Sequence, residues 1–403
     1  MIKSLCTAGI LIIMMTIFSA CNSSDVETTN PLAENHHVAE VGSLYSCEDN
    51  NYYYNRDLVD FSVSVNAEYE TGIIELPIVG DSMPSIIHVD NAQNFYTITQ
   101  SQNENIFCEL GKYNINEKKY TAILTLDNGM TDGIVLGISE DYIVWKEIIL
   151  TSDEVITKLH LYNQLNKTDS AFFVNNIDPE TNSVYEINSN PVVILDNKVF
   201  FDEVTGYSAG NIEMNLLCYD IKEKNIILIS DMAKRPSPYL DGIAYLKKSE
   251  NSHSKLFSYV SGKVSAIDSI SDDYLNEDTA DFSTFDSLIF KSIHNYESEQ
   301  QKNSVISTSL YLGKDEHLLL KGKQSNYTYG VRSNGLAAVW EVTNPEKPVY
   351  YDIMNDRFVR LSDEPSGYYA SFITKDAIVF LTYSEPNNEQ SPQKYILIKT
   401  NED

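Results

Sequence analysis

Short apolar runs and polar punctuation alternate through most of this chain, and one arrangement of them returns at near-regular distances. An Asp, one variable residue, two mostly apolar residues and an aromatic recur from Asp141 to Trp145, Asp196 to Phe200, Asp241 to Tyr245, Asp286 to Phe290 and Asp376 to Phe380. Two looser copies fill the gaps, one ending at Tyr96 and one running from Asn334 and Gly335 to Trp340. The aromatics then stand about 40 to 55 residues apart, about 47 on average, which is the length of a four-stranded propeller blade.

Each copy has the same surroundings. An apolar stretch such as Gly133-Ile134-Val135-Leu136 or Pro191-Val192-Val193-Ile194-Leu195 precedes it and reads as an innermost strand A. The Asp closes a tight turn by satisfying local backbone amides with its side chain, and strand B follows. Alternating segments with a tyrosine come next, at Leu110 to Tyr113, Leu159 to Tyr162, Leu216 to Tyr219, Leu256 to Tyr259, Ser309 to Tyr311 and Pro348 to Tyr351. They predict strand C. A polar turn such as Asn116-Glu117-Lys118-Lys119 or Met354-Asn355-Asp356-Arg357 leads into an edge strand D, as in Tyr120-Thr121-Ala122-Ile123-Leu124-Thr125-Leu126. Four strands repeated about seven times predict an all-β fold, a β-propeller of seven four-stranded blades. The last unit has strands A, B and C at Ser371 to Thr374, Ala377 to Tyr383 and Lys394 to Lys399, and lacks a strand D before Asp403. The segment Gly72-Ile73-Ile74-Glu75-Leu76-Pro77-Ile78-Val79 precedes the first strand A and supplies the missing strand, closing the last blade and removing two open edges.

Ahead of the repeats, Lys3, an apolar run from Ala8 to Phe18, and Ser19-Ala20 before Cys21 read as a secretory signal over residues 1–20. The run is short of the roughly 20 residues that a membrane span needs. The Phe18-Ser19-Ala20-Cys21 stretch resembles the lipobox of bacterial lipoproteins, with Phe18 in place of the usual Leu. That resemblance implies a diacylglyceryl group on Cys21, cleavage before it, and an extracytoplasmic, lipid-anchored protein. Residues 21–55 are polar and acidic, the composition of a disordered tether, and the propeller domain is assigned to 56–403. His36 and His37 fall in the tether without the further ligands of a zinc site and read as solvated side chains.

Charge narrows the partners. With 58 acidic against 29 basic residues the net charge is −29, which disfavours nucleic acid and anionic membrane surfaces. Tyrosine is abundant, with 27 copies, in keeping with strands. Cys47, Cys108 and Cys218 are an odd set beside Cys21 and read as small buried thiols.

The repeat form resembles bacterial seven-bladed propellers of the TolB-like and YVTN-like kind, and the resemblance carries no active-site residue across. The WD40 signature is absent, as is the tryptophan-docking repeat of quinone-dependent dehydrogenase propellers; Trp145 and Trp340 are the only tryptophans. Gly206-Tyr207-Ser208-Ala209-Gly210 has the G-x-S-x-G form of a nucleophile elbow. It lies between strands B and C with no helical pattern after it, so it reads as a hairpin loop. Asp272-Asp273-Tyr274-Leu275-Asn276-Glu277-Asp278 lacks the spacing of an EF-hand and reads as a solvated connection. No metal or other cofactor is implied.

In such a ring the A-to-B and C-to-D turns share one face and the longer B-to-C and D-to-A connections share the other. The stretches Glu147 to Thr157, Glu203 to Glu213, Lys291 to Ser304 and Thr382 to Gln393 belong to the second face and carry Tyr207, His294, Tyr296 and Tyr383. Aromatic side chains on loops of a rigid scaffold suit peptide or glycan contacts. The expectation is a monomeric, non-catalytic binding or assembly module at the cell envelope, with an envelope protein, peptide or glycan as partner. The alternative is an extracytoplasmic hydrolytic or carbohydrate-active enzyme with paired carboxylates in the central pocket.

Overall fold

β-Branched and aromatic residues fill the repeated segments, and a strand made of them is stable only when both its ladder and its apolar face are covered. A computed structural model shows how this is met; it describes residues 45–46, 52–54, 56–61, 69–76, 84–90, 93–100, 107–127, 131–150, 155–177, 191–208, 211–248, 254–267, 277–296, 304–312, 315–322, 328–342, 348–361, 370–383 and 392–400. The expected signal segment, Cys21, His36, His37 and Cys47 lie outside the described residues.

The described strands pair into seven sheets, numbered in chain order as blades 1 to 7: residues 85–127, 131–177, 193–230, 233–266, 277–322, 328–360 and 370–399. Within a blade, successive strands, lettered A to D, are antiparallel neighbours. The A strands of blades 2 to 7 touch in succession, blade 7's A strand touches that of blade 1, and blade 1 meets blade 2 through its C strand. The A strands therefore surround an axis. The core is divided accordingly, because each hydrophobic cluster lies between two successive blades. Tyr96, Leu110, Ile143 and Tyr162 join blades 1 and 2; Val193, Phe200, Leu216, Ile243 and Tyr245 join blades 3 and 4; Ala337, Val339, Val359, Ile378 and Ile396 join blades 6 and 7. Among the described residues no blade has a core of its own, so the β-propeller stands only as a ring.

Closure follows the sequence expectation. Strand Tyr69–Ile74 pairs antiparallel with Gln393–Lys399, placing Thr71 opposite Ile396 and Ile73 opposite Lys394. The Tyr395 ring lies over Gly72, where an added Cβ would come within 2.5 Å of it, and the Tyr395 hydroxyl donates to Glu70 at 3.0 Å. Burial, reinforced by the Glu70 bond, pushes this phenol up to about 12. Strand pairing also reaches back before residue 56. Tyr45–Ser46 and Tyr52–Tyr54 add to the outer edge of blade 5, and Leu58–Asp60 adds in parallel to Arg357–Arg360 of blade 6. Arg56 secures that addition through Asp356 at 2.6 Å.

The A-to-B turns correct one expectation. Backbone amides after the turn are capped by a residue ahead of the repeat Asp: Ser139 Oγ accepts from Tyr142 N, and Thr374 Oγ1 from Ala377 N. The reason is positional, since the side chain at the first turn residue reaches amides two or three residues on. Asp196 and Asp286 instead occupy left-handed backbone, with φ of 51° and 50°. Their turns join Leu195 to Lys198 and Phe285 to Leu288, whereas around Asp241 the turn joins Tyr239 to Gly242 and the left-handed residue is Leu240. Strand B thus starts one residue earlier after Asp241, and a one-residue slip exchanges faces. Phe200 and Phe290 consequently pack toward the next blade, while Tyr245 packs toward the preceding one.

Gly72→Val tests the closure. Forcing a branched side chain against the Tyr395 ring is expected to lower unfolding stability by about 1 to 3 kcal/mol, read by denaturant titration.

Candidate functional site

Alternation along a strand sends neighbouring residues to opposite faces, and strand B of blade 3, Lys198–Ser208, uses this with two acids in sequence. Glu203 faces blade 2, where its Oε1 lies 2.8 Å from Lys146 Nζ, with both side chains essentially buried. Asp202 faces blade 4, accepting from the backbone N–H of Arg235 at 2.6 Å. One dipeptide thereby links three blades. Burial holds the Glu203 carboxyl above the ordinary carboxylate range, against the opposing pull of the Lys146 ammonium. Such a pair contributes little net stability but fixes how the two blades meet.

Arg235 sits at a β-bulge between Lys234 and Ser237 on the axial strand of blade 4, with φ of 57°. Bulges of this kind re-aim side chains. Arg332, on the axial strand of blade 6, donates to the Ser371 carbonyl of blade 7 at 3.2 Å and lies 5.6 Å from the Phe372 ring centre. Its charge also reaches His88 on the axial strand of blade 1. Lys234, Arg235, Arg332 and His88 are all half-buried. The innermost strands thus carry charges of both signs, with Asp90, Asp132, Glu277, Asp278 and Asp281 on the same set of strands.

Blade 2 holds a second polar array. The Trp145 indole stacks on His160 with ring centres 4.1 Å apart and donates to Asp169 Oδ1 at 2.9 Å. His160 Nδ1 lies 2.7 Å from Asp169 Oδ2 and its Nε2 lies 3.2 Å from Glu147 Oε2, which also accepts from Lys158 at 3.0 Å. Both carboxylates are engaged by the same imidazole. A shallow cleft of about 320 Å³ opens between blades 1 and 2 at their C-to-D turns, lined by Lys112, Asn114, Lys119, Tyr162, Gln164 and Lys167 among others. Among the described residues, no group of His, Cys, Asp and Glu gathers as a metal site. Cys218 is buried between blades 3 and 4, and burial raises its thiol to about 11.

Tyr207, His294, Tyr296 and Tyr383 all fall at the far end of a B strand, in blades 3, 5, 5 and 7. Their cross-strand partners are Ile212, Ile306, Ser304 and Gln393. They share the B-to-C end of the blades, in three blades that are not neighbours, and their side chains lie outside the described residues. Two of the stretches expected as loops, 147–157 and 203–213, are largely strand, and in the other two residues 297–303 and 384–391 lie outside the described residues. Tyr142–Leu150 pairs throughout with Val155–Asn163, and Lys198–Ser208 with Asn211–Asp220. The hairpin arms persist because apolar residues such as Ile148 and Val204 remain buried that far out. Ser208 stands opposite Asn211 at such a hairpin tip, which is not a strand-to-helix elbow. Glu277 and Asp278 of the acidic stretch open the axial strand of blade 5, and residues 272–276 lie outside the described residues. The axial charges were missed because they belong to different repeats; a scan for charge on the A strands would have found Lys234, Arg235 and Arg332 together with the acids of blades 1, 2 and 5.

No family model matches the chain, and no curated protein matches it. Among solved structures it is similar to the β-propeller domain of the Trilobed protease from Pyrococcus furiosus, described as having an open velcro topology. The identity is 6%, the TM-score is 0.50, and the likeness covers 81% of this chain and 97% of that one. An oligogalacturonate lyase from Vibrio parahaemolyticus is similar at 10% identity and a TM-score of 0.49, over 83% of this chain and 97% of that one. An uncharacterized protein from Listeria monocytogenes matches at 10% identity and a TM-score of 0.49, over 76% and 91%. At 6% identity the likeness to the Pyrococcus furiosus domain concerns the propeller fold alone.

The axial histidine gives a pH expectation. Burial, with help from Arg332 and against Asp90, lowers the His88 pKa from its ordinary 6.5. The folded protein therefore resists protonating it, so its contribution to stability is complete above 6.5 and is lost as the pH falls below that value. Denaturant titrations from about pH 7 to about pH 5 are expected to show a smaller acid loss in His88→Asn than in the native chain.

Proposed function

We propose that this chain is a lipid-anchored extracytoplasmic propeller that works as a non-catalytic binding or assembly module, with its B-to-C face as the docking surface. The observation that carries the reading is the way polar groups are spent inside the ring. Lys146 with Glu203, Asp202 with Arg235, Arg332 with Ser371, and Ser237 with Thr284 at 2.8 Å each join one blade to another. These contacts make a stiff platform. From it the B-to-C hairpins extend: strand B of blade 3 has eleven residues, of which only Lys198 to Phe200 pair with the described strand A. A rigid scaffold presenting hairpin ends with Tyr207, His294, Tyr296 and Tyr383 suits a peptide or glycan partner, because aromatic side chains contribute much contact area at small entropic cost. Acylation at Cys21 would hold this platform at the membrane, each buried methylene contributing about 0.8 kcal/mol.

The test is capture from envelope extract by the full chain and by a Tyr207→Ala/Tyr296→Ala/Tyr383→Ala variant. The native chain is expected to retain a partner that the variant loses by about tenfold or more. Equal capture by both would remove this face as the docking surface, and hydrolysis of an envelope glycan by the purified chain would favour the enzymatic alternative.

A further inference from the structure

A propeller blade is complete with four strands, so a strand beyond the fourth is an occupant of the blade's outer edge. Blade 6 has its four at Thr328–Ser333, Ala337–Val342, Val349–Asp352 and Arg357–Arg360, and Leu58–Asp60 is a fifth. Tyr69–Ile74 differs, because it supplies the fourth strand of blade 7 and belongs to the ring. The fifth strand of blade 6 is three residues long, and its pairing is the one parallel pairing among the described strands, the weaker geometry per residue. Side-chain contacts hold it in place. Arg56 Nε lies 2.6 Å from Asp356 Oδ1, a carboxylate still 60% exposed that also accepts from the Tyr351 hydroxyl. Leu58 packs on the cluster of Phe290, Leu319 and Tyr351 between blades 5 and 6. Val59 and Phe61 pack on the cluster of Val339, Val359 and Ile378 between blades 6 and 7. Asp60 stands in register with Arg360, and Asp57 is exposed.

We infer that the outer edge of blade 6 is a strand-acceptor site for an extended peptide of the form Arg-x-apolar-apolar-Asp-aromatic. The chain's own residues 56–61 fill it in cis, and it opens when they lift off. The resident segment displays the chemistry of the ligand. Alternate residues of a strand point to opposite faces, so Leu58 reaches one seam and Val59 the other, and only an extended chain meets both. Backbone pairing then provides affinity and the two seams provide selectivity, as in other strand additions. Arg357 is engaged by Asp352 at 3.3 Å, so Asp356 is the carboxylate that selects the cation. Lifting off leaves the ring closed, since Tyr69–Ile74 pairs with Gln393–Lys399 in a different blade. The site lies on the outer rim and does not depend on the B-to-C face proposed above.

Two measurements test this. In the native full chain the Phe358 amide donates to the Asp57 carbonyl at 2.7 Å and reports the fifth strand, while the Leu361 amide donates to Pro348 within the blade at 3.0 Å. Hydrogen exchange is expected to be about tenfold or more faster at Phe358 than at Leu361; equal rates would overturn the proposal. The second measurement adds a dye-labelled synthetic peptide of residues 55–62 to full-chain Arg56→Ala/Leu58→Ala, whose blade 6 strands 328–360 are unaltered. This variant is expected to keep the native circular dichroism and to bind one peptide, about tenfold or more tightly than a peptide carrying Leu58→Asp. The native chain is expected to bind the peptide about tenfold or more weakly than the variant does, because its tethered segment competes at high effective concentration. A folded variant that binds neither peptide or both equally, or a native chain that binds as tightly as the variant, would overturn the proposal. So would a variant without the native circular dichroism, since the segment would then be part of the ring and not an occupant.

Discussion

Seven sheets without private cores can persist only if the first and last are held together, and here that duty falls on one antiparallel pair, Tyr69–Ile74 with Gln393–Lys399. Each interior cluster needs a wall from two blades. An open ring would expose the cluster that Ile74, Phe95, Val379 and Leu397 build between blades 7 and 1, together with two bare strand edges. Because the pairing residues are separated by most of the chain, its entropic cost is met late, after the intervening blades are in place to reward it. The Tyr395 ring over Gly72, the Tyr395–Glu70 bond and the added strand Leu58–Asp60 all concentrate contacts near this seam.

Around that closure, polar side chains act mainly as spacers between blades. Asp202 and Glu203 illustrate the economy of a strand, in which consecutive residues serve opposite interfaces without any change of backbone. The Asn334 side chain does similar work between blades 6 and 7, donating to the Thr374 carbonyl at 2.8 Å while accepting from the amides of Leu336 and Ala337. The same rigidity that these contacts confer is what a docking platform requires. It also leaves the blade edges as surfaces that differ from one part of the rim to another, with strands added over blades 5 and 6 and, among the described residues, none over blade 3.

Much of this architecture is legible in the chain because repetition reports it directly. The Asp-to-aromatic unit marks strand B in five sheets and a looser form of it in the other two, and the run from Gly72 announces the closing strand. What periodicity cannot register is a shift of one residue in a turn. Asp196 and Asp241 head identical patterns, yet the left-handed residue is Asp196 in one turn and Leu240 in the other, and the aromatic that follows faces a different blade. Nor does local pattern separate a long hairpin from a long loop, since residues 147–150 and 155–157 continue as paired strands on the strength of cross-strand contacts. The charged residues of the axial strands belong to different repeats and come to one axis only through the ring.

Hydrogen exchange at the seam reaches the central claim most directly. Amides of residues 70–73 and 394–397 are expected to exchange together, with protection equal to that of the strands of blades 2 to 4, because opening the seam and losing the ring are one event. Rapid exchange of residues 70–73 while blades 2 to 4 stay protected would contradict it, and would show a ring that stands without its closing strand.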